Sequence, residues 1–316
     1  MKALFCALAI PLLAACSKQD ATPPIAAAAT AAPETTPPAA TPPKKLLVLA
    51  TFAPIYCFTK NVAGDLADVE MIAPPGTPAA MFQPAPADVT RIMQADIIIE
   101  NGFGFESWMD NLVARGLKPG AIRVIAARGA GPGIPGLPGD PTSPPGDAPS
   151  DDSAPPDPHV WLDPVMAIKE VQNVRDALMA RDPSHATDYL TNENRYEAAL
   201  RDLDDQVGTQ TVDLQKRRIA CTDSTVFYFL KRYEFIPVDL RKTGKPGPHT
   251  ADALLATTQA DLLNASPLPV VRADPMESGS ASTDFYETTT LANVAALREA
   301  LGAQPAPDGS PSGPLK

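Results

Sequence analysis

Between residues 45 and 302 the chain alternates two periodicities. Continuous apolar runs such as "KLLVLATF" (45–52), "DIIIENG" (96–102) and "AIRVIAA" (121–127) are separated by segments whose apolar residues recur at helical spacing. An unbroken apolar run suits a strand covered on both faces, and a helix between two strands is the connection that parallel pairing needs. This alternation constrains the fold more than any other feature. It predicts an α/β protein with mainly parallel sheets flanked by helices.

In the first half, Pro54 opens a helix over "IYCFTKNVAGD" and Gly64 lies near its end. "DVEMIAPPG" reads as a second strand running into a Pro-Gly loop. "APADVTRIMQA" reads as a helix with Val89, Ile92 and Met93 on one face, and "FESWMDNLVARG" as a helix closed by Gly116. Ligands in such sheets gather beyond the carboxyl ends of the strands, so the loops after Phe52, Ala73 and Glu100 are the places to look.

The second half repeats the style. "RRIACTD", "FIPVDL" and "LPVVRADP" are expected strands. "STVFYFLKRY", "TADALLATTQADLLN" and "TTLANVAALREALG" are expected helices. Between the halves, Ile168, Val171, Val174 and Leu178 share one helical face, Asp182 and Pro183 make a break and a fresh start, and Tyr189, Tyr196, Leu200, Leu203 and Val207 continue. The tract covers about 40 residues, or about 60 Å at helical rise, enough to cross between two lobes. The expected organisation is an N-terminal lobe over 45–164, an interlobe helix over 165–208 and a C-terminal lobe over 209–302. Roughly 260 residues suffice for two lobes with cores of their own.

The remaining segments are of another kind. "MKALFCALAIPLLAACSKQD" has a basic Lys2 and an apolar run over 3–15 that is too short to span a bilayer comfortably. Small residues precede Cys16, so "LAAC" resembles the lipobox of bacterial lipoproteins. Residues 1–15 would then be a signal peptide and Cys16 the lipidated first residue. The competing reading is an ordinary secretory signal with an incidental Cys16. Residues 16–44, mostly Ala, Pro and Thr, offer no apolar period and read as a tether. The tail over 303–316 is expected to be disordered. Residues 131–158, with ten prolines, five aspartates and no basic side chain, form a long insertion. It reads as a solvated spacer, with weak capture of cations as the alternative.

Charge narrows the partners. Twenty-six basic against 37 acidic residues give a net charge of −11, which argues against nucleic acid or an anionic membrane surface. Cys57 and Cys221 are the cysteines of the folded part. Outside the cytoplasm they would either pair as a disulfide or stay as buried thiols, and the sequence leaves both open.

In sequence order, "LATFAPIYCFTKNVAGD", "MIAPPG" with "FQPAPADV", "ADIIIENGFGFESWMDNL" and above all "DPHVWLDPVMAIKEVQNVRDAL" make the chain resemble a known family. It is similar to the periplasmic metal-binding proteins of bacterial zinc and manganese ABC transporters, the group with a rigid interlobe helix. The resemblance runs from about Lys45 to Gly302. It implies two α/β lobes around a cleft and a divalent cation, Zn or Mn, as the bound ligand. It further implies an ABC permease as partner, a monomer attached to a membrane by its lipid anchor, and a place in the periplasm or on the cell surface.

The resemblance also implies a ligand set, carried over position by position. The first ligand, a His in the loop after the second strand, falls on Ala80, which has no donor atom; neighbouring Met81 and Gln83 are poor ligands for a hard cation. The second is His159, in intact context. The third falls on Asp223, which is either a ligand or the cap of the next helix. The fourth, an acidic residue at a strand end, falls on Asp274, with Glu277 as the next candidate. One imidazole and two carboxylates would neutralise a divalent ion. His185 reads as a surface residue on a first helical turn, and His249 as a loop residue beside a helix start, with a ligand role as the alternative.

No nucleophile–base pair and no phosphate loop occurs, so an enzyme is not expected. Two functions remain. One is a solute-binding lipoprotein that captures a divalent cation for an ABC permease. The other is a relative that has lost high-affinity binding and serves as an adhesion, partner-binding or metal-handling accessory lipoprotein.

Overall fold

The structure is a computed structural model and describes residues 44–130, 157–244, 247–257 and 266–302. The signal segment, Cys16, the tether, most of the acidic insertion and the tail lie outside the described residues. The described residues belong to one compact unit, which holds both sheets.

The first sheet is built from β1 (Leu46–Ala50), β2 (Ala67–Met71), β3 (Ile97–Glu100) and β4 (Ile122–Ile125), in the order β2-β1-β3-β4. All its pairings are parallel. Helices α1 (Ala53–Ala63), α2 (Pro86–Gln94) and α3 (Met109–Val113) make the connections. The central strand reads "IIIE" and is buried throughout, which is why its sequence does not alternate. The strand order reverses between β1 and β3, so their carboxyl ends define a switch point where a ligand crevice opens.

The second sheet repeats this order as β6-β5-β7-β8, again all parallel. Its strands are β5 (Arg218–Cys221), β6 (Ile236–Asp239), β7 (Ala253–Ala256) and β8 (Val270–Arg272). Helices α6 (Phe227–Arg232) and α7 (Leu240–Thr243) flank β6, and α8 (Phe285–Ala300) closes the lobe. One expectation is corrected here. The helix expected over 250–264 begins as strand β7, while 258–265 lies outside the described residues. Ala253, Leu254, Leu255 and Ala256 are good helix formers, but all four are buried between β5 and β8, and that position overrides propensity.

The expected interlobe tract also differs from a single bridge. It folds as α4 (Pro164–Arg181) and α5 (Ala186–Thr211), broken at Asp182–His185. Asp163 caps α4 by accepting from the amides of Val165 and Met166. Gln172 reaches Glu197, Arg175 reaches Glu193, and Tyr189 donates back to Asp182, so the two helices run antiparallel. Helix α5 touches both α1 of the first lobe and α8 of the second, and its 26 residues reach about 39 Å. A single apolar core runs along it, from Phe58 and Val62 through Tyr196, Leu200 and Leu203 to Val294 and Leu297. Cys57 and Cys221 are both buried free thiols.

Candidate metal centre

The two switch points position the candidate site. Thr51, just past β1, donates to Glu106 Oε1 at 2.7 Å, and the amides of Asn101 and Gly102, just past β3, donate to the same carboxyl. Glu106 thereby ties both strand ends together. Gly102 has φ +97, and a Cβ there would meet Ile125 Cγ2 at 2.3 Å, so no other residue fits. Asn101 then donates its side-chain amide to the carbonyl of Pro158 at 3.0 Å. This seats the Asp157–His159 segment over the carboxyl end of β3.

From the other lobe, the hydroxyl of Tyr228 donates to the Asp157 carbonyl, Trp161 Nε1 donates to the Pro275 carbonyl, and the hydroxyl of Tyr286 donates to the Trp161 carbonyl. The segment around His159 is thus bolted to both lobes. The rings of Phe105 and Trp161 stand beside the imidazole at 5.9 and 5.0 Å.

His159 Nδ1 lies 2.6 Å from Asp157 Oδ1, and Nε2 lies 3.4 Å from Glu277 Oε1. The pair with Asp157 fixes the ring and leaves Nε2 facing Glu277 of the second lobe, the arrangement by which carboxylates orient metal-binding imidazoles. Burial opposes charge on the ring, but the bonds and charges of Asp157 and Glu277 outweigh it and raise the His159 pKa to about 9. Burial likewise works against Asp157, yet its contacts with His159 and Ser224 hold it below the usual carboxylate range.

Asp223 stands at the second switch point, just past β5. It accepts from the Thr225 amide at 3.0 Å and from the Thr257 hydroxyl at 3.2 Å, so it caps the turn that opens α6. Asp274 is exposed; its Oδ1 accepts from the Met276 amide at 2.7 Å, and its own amide donates to Asn293. Among the described residues, no three His, Cys, Asp or Glu side chains converge into a cation cage. The structure therefore does not bring His159, Asp223 and Asp274 onto a common point, because each aspartate is engaged by its own turn.

Two other acids pair with His159 instead: Asp157, which the sequence reading did not name, and Glu277, its next candidate for the fourth ligand. Asp157 was legible as an acid two positions before the His. Glu277 lies three residues beyond Asp274, and only the fold of that turn reveals its reach. Ala80 is half-buried and contributes a methyl group. His185 is half-exposed and held by Asp182, and His249 is exposed.

The sequence profile described as "Zinc-uptake complex component A periplasmic" matches residues 48–289. The chain belongs to this family. Curated relatives include the iron-binding protein YfeA of Yersinia pestis, 31% identical over 195 residues that make up 61% of this chain and 58% of that protein. The manganese-binding lipoprotein MntA of Halalkalibacterium halodurans is 29% identical over 209 residues, 64% of each chain. The high-affinity zinc uptake protein ZnuA of Bacillus subtilis is 30% identical over 188 residues, 60% of this chain and 58% of that one. The match thus spans about 58–64% of the length of these relatives. Among solved structures, Zn(II)-bound AdcA from Streptococcus pneumoniae aligns with TM-score 0.63 at 24% identity, over 83% of this chain and 59% of that one. A zinc-bound ZnuA deletion mutant aligns with TM-score 0.64 at 19% identity, over 83% of this chain and all of the other. These likenesses establish the two-lobed α/β fold of the family.

Proposed function

We propose that this chain is the lipid-anchored, extracytoplasmic solute-binding component of an ABC transporter and that its cargo is a divalent cation, Zn²⁺ or Mn²⁺. The observation that carries this reading is the set of His159. One ring nitrogen is held by Asp157 and the other faces a carboxylate across the cleft, at 2.6 and 3.4 Å. His159 anchors the ion. The second lobe supplies oxygen donors from Asp223 at its switch point and from the acidic turn after β8, which carries Asp274 and Glu277. A cleft with one imidazole and carboxylates suits borderline and harder divalent ions better than soft ones. The relatives' names carry iron, manganese and zinc in turn, so family membership does not choose among metals.

No catalysis is required of this arrangement: the protein binds, carries and releases. Cys16 is the proposed lipid attachment, residues 16–44 the tether that holds a monomer off the membrane, and the permease the partner at which release occurs. The chain should bind Zn²⁺ or Mn²⁺ stoichiometrically in calorimetry with metal analysis, and His159→Ala should abolish binding. A His159→Ala variant that binds as the parent does would overturn this reading. Ala80, which lacks a donor atom, favours a second reading, a member of the family that has exchanged high-affinity binding for an accessory or adhesive role. A parent chain that takes up neither ion would point there.

A further inference from the structure

We propose that Glu277 supplies, from the second lobe, the metal-binding donor that Ala80 lacks in the first. The inference rests on the reading of His159 as a cation ligand. It begins with backbone. The Gly76 amide donates to the Ser278 carbonyl at 2.8 Å, and the Ala79 amide donates to the Glu277 carbonyl at 3.1 Å. These two bonds lay the turn after β8 antiparallel against the loop after β2. The Glu277 main chain therefore lies beside the position from which the first lobe would otherwise present an imidazole.

The local conformation then aims its side chain. Asp274 Oδ1 binds the Met276 amide, Trp161 Nε1 binds the Pro275 carbonyl, and Met276 has φ +65. A left-handed methionine is unfavourable unless its surroundings hold it. Met276 is held because its side chain is 1% exposed, in an apolar cavity with Leu162, Val226, Phe229 and Leu255. The kink sends Asp274 outward and Glu277 inward.

The spacing fits two ligands on one ion. Bonds of about 2.0–2.2 Å at tetrahedral angles separate neighbouring donor atoms by about 3.3–3.6 Å. His159 Nε2 and Glu277 Oε1 stand 3.4 Å apart. A charge-assisted hydrogen bond closes to about 2.7–2.9 Å, as the opposite side of the same ring does with Asp157. The pair is open on the side where a cation binds and closed on the side that orients the ring.

The test titrates the full chain with Zn²⁺, and separately with Mn²⁺, by calorimetry with metal analysis. Glu277→Gln removes the anionic donor and keeps the backbone bond to Ala79. It should weaken binding about 100-fold, the upper end of what loss of even a supporting group costs a metal site. Asp274→Asn, which keeps an oxygen for the Met276 amide, should weaken binding less than Glu277→Gln does. The metal-free melting temperature of Glu277→Gln should match the parent, while its metal-induced rise disappears. Glu277→Asp, one methylene shorter, is the second variant, and it too should bind more weakly. If Glu277→Gln and Glu277→Asp bind as the parent does while His159→Ala loses binding, Glu277 is not a ligand and the reading of His159 stands. Loss at Asp274→Asn with Glu277→Gln intact would hand the role to Asp274 and overturn the proposal. Unchanged binding in His159→Ala would remove the foundation of both.

Discussion

Glu106 joins two strand ends and does so as a buried acid. Burial, aided by the charge of Glu100, pushes its pKa from 4.5 to about 7, against the opposing bonds from Thr51, Gly102 and Asn101. A carboxyl raised in the folded state binds its proton more tightly there than in the unfolded chain. The stability it contributes is therefore complete below pH 4.5 and is lost as pH rises through about 7. The loss amounts to roughly 3 kcal/mol. Denaturant midpoints followed from pH 5 to pH 8 should fall, and Glu106→Gln should reduce the slope by about one proton's worth, although it starts less stable because an amide cannot accept all three bonds. An unchanged slope in the variant would exclude Glu106 as the source. At the same scale, Ala80→His places a second imidazole in the first lobe's loop, and Zn²⁺ affinity should rise by at least about tenfold in calorimetry. No gain would mean that the loop does not face the ion.

Helix α4 contains a residue whose chemistry opposes its position. Glu170 is fully buried, and among the described residues neither carboxyl oxygen has a hydrogen-bond partner. Desolvation, with the charge of Glu106 adding to it, raises its pKa well above the ordinary range. A buried polar group without a partner costs about 1–3 kcal/mol. Glu170→Met is close in volume and removes that cost, so it should stabilise the protein by about that amount and raise its melting temperature. A lower melting temperature would show that the carboxyl has a role in the core. The elements themselves were largely legible, because apolar runs and capping residues act locally. "KLLVLATF" became β1, "DIIIENG" β3, and Pro54 opened α1. Residues 250–264 misled because Ala and Leu favour helix in isolation, while burial between two strands is a tertiary fact that no window of sequence contains. The site was half legible for the same reason. His159 carries its context in eight contiguous residues. Glu277 becomes its neighbour only through a left-handed Met276 and two backbone bonds to a loop some two hundred positions away.

Between the lobes there is shared core rather than a bare hinge. Phe58 meets Tyr196 and Tyr286 ring to ring at 6.2 and 5.0 Å, and buried Trp161 makes two hydrogen bonds to the second lobe, with Pro275 and Tyr286. Two lobes whose helices α1 and α8 both pack on α5 cannot separate without exposing the apolar residues that line it. The 44–302 region should therefore unfold in a single calorimetric transition, with calorimetric and van't Hoff enthalpies in agreement. Two resolved transitions would mean that the lobes carry independent cores. A cation that binds only the folded state adds about 2.7 kcal/mol at a free concentration one hundred times its dissociation constant. With the proposed donors in both lobes, neither lobe can unfold while the ion stays bound, so the single transition should then move upward as one. In His159→Ala the shift should vanish and the metal-free transition should remain. A cation that stabilised only part of the transition would place all of its donors in one lobe and separate capture from the closure of the cleft.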